Sequence, residues 1–341
     1  MKREQAAVTR HCCSPSRLIS PADSVRSALP AADATSPQTD KELATGKQAP
    51  QPRQHAIFFC IDASYNVAAC VALTSLVMST HHTEARLPDI YLFVLPESHA
   101  VWEDIATHLS QHHRAFRLYI ISTLDIPLDE SRAQYGFQNY GKTLSIAAYT
   151  RLYASRYLHQ RGVSRALYLD SDIIIQHSPL PLLHIDMAGF PLAARTERNH
   201  PRVSRAIRLH RIPNNRYFNS GVLLLDLQHP AVLSMLNSAI AYSEQHHHHL
   251  LYLDQCALNK AVQGLYLGLN EKYNWFMLPE GPLAYGSEQA AIVHFISTPK
   301  PWESSYGGWG AALWQRYQRH AITTVSEPLF YALRQFASRR Q

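Results

Sequence analysis

From His55 onward the chain alternates short apolar runs with longer stretches whose apolar positions recur every three or four residues; before His55 it does neither. The runs HAIFFCI (55–61), DIYLFVL (89–95) and FRLYII (116–121) are rich in β-branched and aromatic residues and predict strands. Between them, YNVAACVALTSLVMST (65–80) and HAVWEDIATHLSQHH (99–113) carry helical spacing, the second capped by Ser98. A third helix, LSIAAYTRLYASRYLHQ (144–160), leads into ALYLDSDIIIQH (166–177). Strands alternating with helices in this order predict an α/β nucleotide-binding half. The second half is less regular and shows no repeat: RYFNSGVLLLDL (216–227), a helix near 229–243, another over LDQCALNKAV (253–262) and a strand near AAIVHFI (290–296).

Composition changes the picture at both ends. Residues 1–54 are rich in Ala, Ser, Pro, Gln and Arg, a mixture that offsets little of its own ordering entropy and predicts a disordered tail. Its Arg/Ser flavour suits a transit peptide, Asp23, Asp33, Asp40 and Glu42 argue against one, and an over-long translation start fits equally. At the other end, EPLFYALRQFASRRQ (327–341) puts Leu329, Phe330, Leu333, Phe336 and Ala337 on one helical face and Arg334, Arg339 and Arg340 elsewhere. Residues 311–341 are therefore expected to form a basic amphipathic region, either lying on an anionic membrane surface or docked on the preceding domain.

A chain of 341 residues, 46% hydrophobic, has the material for a full core. No apolar run approaches the roughly 20 residues of a spanning helix, which predicts a soluble or peripheral protein. Cys12, Cys13, Cys60, Cys70 and Cys256 form no C-x-x-C pair, as expected of reduced cytosolic thiols. The net charge of +6 points to an acidic partner, whether nucleic acid, anionic lipid or a phosphorylated substrate, and the lack of basic tracts interleaved with aromatics and of zinc-finger spacing makes nucleic acid the least supported of these.

The chemistry begins at Asp170 and Asp172. Two residues apart on an extended segment, their side chains share one side and repel unless a counter-charge intervenes. Such triplets commonly sit solvated in turns, but ALYL before and III after are flanks of buried strand. The acids are thus expected at the carboxyl edge of a sheet, where a divalent cation would relieve the repulsion and hold a diphosphate.

Seven ordered stretches, FFCIDASY, SIAAYTRLY, ALYLDSD, YFNSGVLLLDL, YLDQCALN, EKYNW and HFISTPKPW, together resemble glycosyltransferase family 8, in particular the bacterial lipopolysaccharide core galactosyl- and glucosyltransferases. The resemblance spans residues 55–310. It implies a GT-A fold with a Rossmann-like mixed sheet flanked by helices, a UDP-hexose donor, a divalent metal (Mn²⁺ or Mg²⁺) and retention of anomeric configuration.

By that resemblance the metal ligands are Asp170, Asp172 and His294, an oxygen and nitrogen set that suits Mn²⁺; without the motif His294 would read as a core residue. Lys300 is implied on the diphosphate, with Ser297 beside it where the family usually has Gly. Asp62 would accept the uracil N3–H, Tyr65 would stack on the base, and Ser64, which also suits a helix N-cap, would take the ribose. Arg151 is implied at the donor sugar and phosphates, although a snorkelling arginine is the ordinary reading. Asn219, Asp254 and Gln255 would hold the hexose near its anomeric carbon, and Cys256 replaces an acid common in the family. Asp254 alone would read as a helix cap, Asn219 as a turn amide. His246–His249 cannot converge on one metal and read as a solvated loop.

With no obvious nucleophile, retention is expected by front-face substitution, Lys300 and the metal stabilising UDP departure and Gln255 the oxocarbenium-like charge. The expected enzyme is a cytoplasmic hexosyltransferase, peripheral on the inner membrane, acting on a saccharide or glycolipid acceptor. Two rival readings are a catalytically silent sugar-nucleotide-binding module and a metal-dependent phosphoesterase built on the acid pair.

Overall fold

The computed structural model describes residues 55–80, 87–112, 116–126, 147–278 and 287–337, all within one compact unit, Pro50–Gln341. The readings made above for residues 1–54 lie outside the described residues.

In chain order the elements are β1 (His55–Ile61), α1 (Asn66–Thr80), β2 (Asp89–Val94), α2 (Pro96–His112), β3 (Leu118–Ser122), α3 (Ala147–Gln160), β4 (Arg165–Leu169) and β5 (Ile173–Ile175). They continue with β6 (Leu192–Thr196), α4 (Pro201–His210), β7 (Phe218–Asp226), α5 (Val232–His246), α6 (Leu253–Val262), β8 (Leu267–Gly268), β9 (Trp275–Phe276), β10 (Ile292–His294), α7 (Ala311–Val325) and α8 (Glu327–Ala337). Seven strands form a mixed sheet ordered β3-β2-β1-β4-β7-β6-β8, and β5-β10-β9 form a second, three-stranded sheet. Strands β1 to β4 run parallel, whereas β7 is antiparallel to both β4 and β6.

The period of two along β1 explains why helices cover both faces. Ile57, Phe59 and Ile61 enter one core with α1, α2, α7 and α8, while Ala56, Phe58 and Cys60 enter the other with α3, α5 and α6. Helix α1 is apolar nearly all round and correspondingly buried. With the turn before it, this stretch (Ala63–Thr80) is long and apolar enough to cross a membrane, yet 72% of it is buried inside the protein, as expected of a core helix.

Several local readings change. ALYLDSDIII is not one strand: the chain leaves the main sheet after Leu169 and joins the second at Ile173, so the two acids occupy the junction between sheets. Ser98 lies inside the first turn of α2, donating to Leu95 O at 3.2 Å, and does not cap it. In α8, Phe330 and Leu333 are completely buried in the core that also holds α1 and α7. Of the two readings of this helix, docking on the preceding domain is the one that Phe330 and Leu333 serve, with Leu329 half-buried beside them. His247–His249 form a short 3-10 turn after α5, with no buried residue. Cys60, Cys70 and Cys256 are free and buried, and burial pushes the Cys70 thiol up to about 12.

Candidate active site

The junction between β4 and β5 exists because both ends are tied. Asp170 N–H donates to Gly221 O on β7 at 2.8 Å, and Asp172 O accepts from Phe295 N–H, just after β10, at 3.0 Å. His294 ends β10 and is thereby brought opposite the acids. Its Nε2 lies 3.6 Å from Asp170 Oδ2 and 3.2 Å from Asp172 Oδ1. Among the described residues these three are the group that could hold a metal ion, their ligand atoms all within 4.8 Å of one another. Two carboxylate oxygens and one imidazole nitrogen make a donor set that fits Mn²⁺ and, less readily, Mg²⁺.

The counter-charges come from elsewhere in the chain, and each carboxylate divides its oxygens between two duties. Asp170 Oδ1 accepts from Tyr168 O–H at 2.5 Å and is paired with Arg151 Nη2 at 3.2 Å, leaving Oδ2 toward His294. Asp172 Oδ2 is paired with Lys300 Nζ at 2.6 Å, leaving Oδ1 toward His294. Burial pulls the Asp172 pKa upward, yet Lys300 and His294 outweigh it and hold the carboxyl well below the usual range. Arg151 also reaches Asp254 at 3.1 Å and donates to Ser220 O at 2.8 Å, with its guanidinium over the Tyr168 ring. Burial pushes Asp254 up to about 6; Arg151 opposes that rise and Asp170 adds to it. Two buried acids, Asp172 and Asp254, and the half-buried Asp170 thus share two cations, a balance that favours a further positive charge.

The acids and His294 open into a cleft of about 700 Å³ whose lining also includes Asn219, Gln255 and Ser297. Its other wall carries Glu197, Arg198, His200 and Arg202 around the start of α4. Arg151, Asp254 and Lys300 stand buried behind this lining. The snorkelling reading of Arg151 is thereby replaced by a buried guanidinium joining two carboxylates. Lys300 Nζ, expected on a diphosphate, spends its contacts on Asp172 and Phe295 O, both at 2.6 Å.

Asp62, Ser64 and Tyr65 sit together at the end of β1 but outside the cleft lining. Asp62 Oδ1 accepts from Ser64 O–H at 2.7 Å and Tyr65 N–H at 3.0 Å, so the cap of this turn is Asp62 and not Ser64. The Tyr65 ring meets Trp302 edge-on, and burial together with Asp172 and Asp62 raises its phenol. Gln255 Oε1 accepts from Ser220 N–H at 3.0 Å, which turns the Nε2 end, unpartnered and buried, away from that bond. Cys256, next along α6, points into the second core against Tyr217 O–H at 3.1 Å, so the replaced acid is not on the cleft wall.

Three contributors carry no role in the sequence reading. A Cβ on Gly221 would lie 2.2 Å from His294 Cε1 and 2.8 Å from Asp170 Oδ2, so a bare backbone there is what lets imidazole and acid approach. Asn274 Oδ1 meets His294 Nδ1 at 2.8 Å, and Asn274 Nδ2 donates to Asn219 Oδ1 at 2.9 Å. Glu197 Oε2 accepts from Asn219 Nδ2 at 3.0 Å. Gly221 and Asn274 stand inside the quoted stretches YFNSGV and EKYNW, whose glycine and asparagine were the available signals.

Comparison with known proteins identifies the family and the fold. The lipopolysaccharide 1,2-glucosyltransferase of Escherichia coli K12 is 26% identical over 257 residues, covering 72% of each chain. The galactosyltransferase LgtC, solved with donor and acceptor sugar analogues, has a similar fold, with a TM-score of 0.61 and 22% identity over 78% of this chain and 95% of LgtC. GlyE of Streptococcus pneumoniae TIGR4 superimposes with a TM-score of 0.57 and 20% identity over 83% of this chain and 64% of that one. The mixed sheet flanked by helices is the GT-A fold of these enzymes. Residues 56–305 match the family model described as glycosyl transferase family 8, and the chain belongs to that family of glycosyltransferases.

Proposed function

We propose that this chain moves glucose or galactose from a UDP-sugar to a saccharide of the lipopolysaccharide core, with retention of anomeric configuration. The observation that carries the reading is the convergence of Asp170 Oδ2, Asp172 Oδ1 and His294 Nε2 at the base of the cleft. The names of the Escherichia coli relative and of LgtC support the acceptor and donor classes. A divalent cation held by Asp170, Asp172 and His294 would supply positive charge to the donor diphosphate.

The residues around it act in three ways. Arg151, Tyr168 and Lys300 hold the outer carboxylate oxygens, so the inner pair is aimed before any ligand arrives. Lys300 exchanges the Phe295 carbonyl for a phosphate oxygen as UDP departs, and Ser297 donates its hydroxyl beside it. Asn219 donates to the hexose with Gln255 beside it on the cleft wall, while Asp254 keeps Arg151 in place. Asp62, Ser64 and Tyr65 take the uridine end. The bond from C1 to UDP breaks as the acceptor oxygen bonds C1 on the same face, and the acceptor proton passes to the departing phosphate oxygen. A cytoplasmic location follows from a nucleotide-sugar donor, and a lipid-linked acceptor would bring the enzyme to the inner membrane.

The test is incubation with UDP-glucose or UDP-galactose, Mn²⁺ and truncated core oligosaccharides, following UDP and glycosylated product together. Product with the donor's anomeric configuration supports the reading. UDP formed without glycoside would favour a hydrolase, and neither product with any donor would favour a silent binding module.

A further inference from the structure

The nitrogen that His294 presents to the two acids is decided by a backbone N–H three hydrogen bonds away. Gly221 N–H can only donate, and it donates to an Asn219 side-chain atom at 2.9 Å, which must therefore be the amide oxygen. The other end of that amide is then NH₂, in agreement with its 3.0 Å bond to the acceptor-only Glu197 carboxylate. The same Asn219 oxygen accepts from Asn274 at 2.9 Å, so the Asn274 atom facing it is nitrogen and the one facing His294 is oxygen. That oxygen lies 2.8 Å from His294 Nδ1, which must carry the proton. Each amide orientation follows from the one before, starting from a donor that has no second option.

We infer that Asn274 is the positioning residue that holds the proton of His294 on Nδ1 and so leaves the Nε2 lone pair for the metal. Its side-chain partners are His294 and Asn219, and on the metal it acts through His294. Asn274 is fully buried, so no solvent competes for the bond, and both its amide groups are spent in the chain from Gly221 to His294. Partners of this kind fix ring orientation and typically account for about 10–100-fold in metal affinity. The inference rests on the metal reading above, and extends it to a residue that the ligand set does not include.

The probe is Mn²⁺ alone, titrated into the full chain without nucleotide and followed by electron paramagnetic resonance, with thermal unfolding recorded for each variant. Asn274→Leu keeps the number of side-chain heavy atoms and removes the acceptor together with the donor to Asn219, and Mn²⁺ affinity is expected to fall about 10–100-fold. Asn274→Asp keeps an oxygen toward Nδ1 but sets a second acceptor against Asn219 Oδ1, so its Mn²⁺ affinity is expected to fall between those of wild type and the leucine variant. In a His294→Gln background Asn274→Leu should add no further loss, because the effect passes through the imidazole. Should the leucine variant not fold, Asn274→Val and the Asp variant carry the same comparison. Wild-type affinity in the apolar variant, equal loss in the Asp variant, or an additive loss in the double variant would each overturn the inference. A wild-type chain that binds no Mn²⁺ would instead overturn the metal reading itself, and this inference with it.

Discussion

Replacing Gly221 by alanine adds one methyl group and should damage the site more than the fold. The backbone there needs no left-handed conformation, so the effect is one of space alone. The new Cβ would stand 2.2 Å from His294 Cε1, 2.7 Å from its Nδ1 and 2.8 Å from Asp170 Oδ2. Carbon atoms are comfortable at about 3.5–4.0 Å, so roughly 1.3 Å of overlap must be relieved. Neither neighbour yields freely: His294 is held by Asn274 and by Met277 N–H on its carbonyl, and Asp170 by Tyr168 and Arg151. Overpacking of this kind costs about 1–3 kcal/mol, which in a domain of this size lowers Tm by roughly 2–4 °C per kcal/mol. Metal ligands tolerate displacements of only about 0.2 Å, so a ring shifted by several times that should lose metal affinity and turnover by at least about tenfold. Thermal unfolding, Mn²⁺ titration and product formation on Gly221→Ala measure the three effects side by side. Wild-type affinity and turnover would refute the argument that bare backbone at 221 lets the ligands meet.

Asp170→Asn and Asp172→Asn keep volume but lose the charge a cation requires, so turnover should vanish with circular dichroism unchanged; activity retained in both at saturating Mn²⁺ would remove the metal assignment. Arg151→Met strands the buried Asp254 without its cation and takes one partner from the half-buried Asp170, and should cost about 3–5 kcal/mol, read by urea unfolding; a loss below about 1 kcal/mol would show the pairing to be dispensable. Removing residues 327–341 exposes the sites filled by Phe330 and Leu333, at about 1.5–3 kcal/mol each, so Tm should fall markedly; an unchanged Tm with lost vesicle binding would instead return α8 to the membrane surface.

What the sequence determined is what depends on near neighbours. The alternation of β1 to β4 with α1 to α3 follows from periods of two and of about 3.6, and the observed elements begin and end close to the predicted bounds. The acid pair stood out because strand-like flanks on both sides make solvation in a loop improbable, and His294 because of the motif around it. Tertiary structure decided the pairings. Lys300 meets Asp172 across 128 positions, Asn274 meets Asn219 across 55, and Arg151 meets Ser220 across 69. No local pattern encodes a partner so distant, since hydrogen bonds and ion pairs leave no periodic trace along the chain. For the same reason an apolar stripe such as that of α8 reads alike whether it faces lipid or core, until α1, α2 and α7 supply the surface that covers it. Gly221 shows the limit most directly: its φ is ordinary, and only the approach of His294 from another sheet makes the missing side chain a requirement.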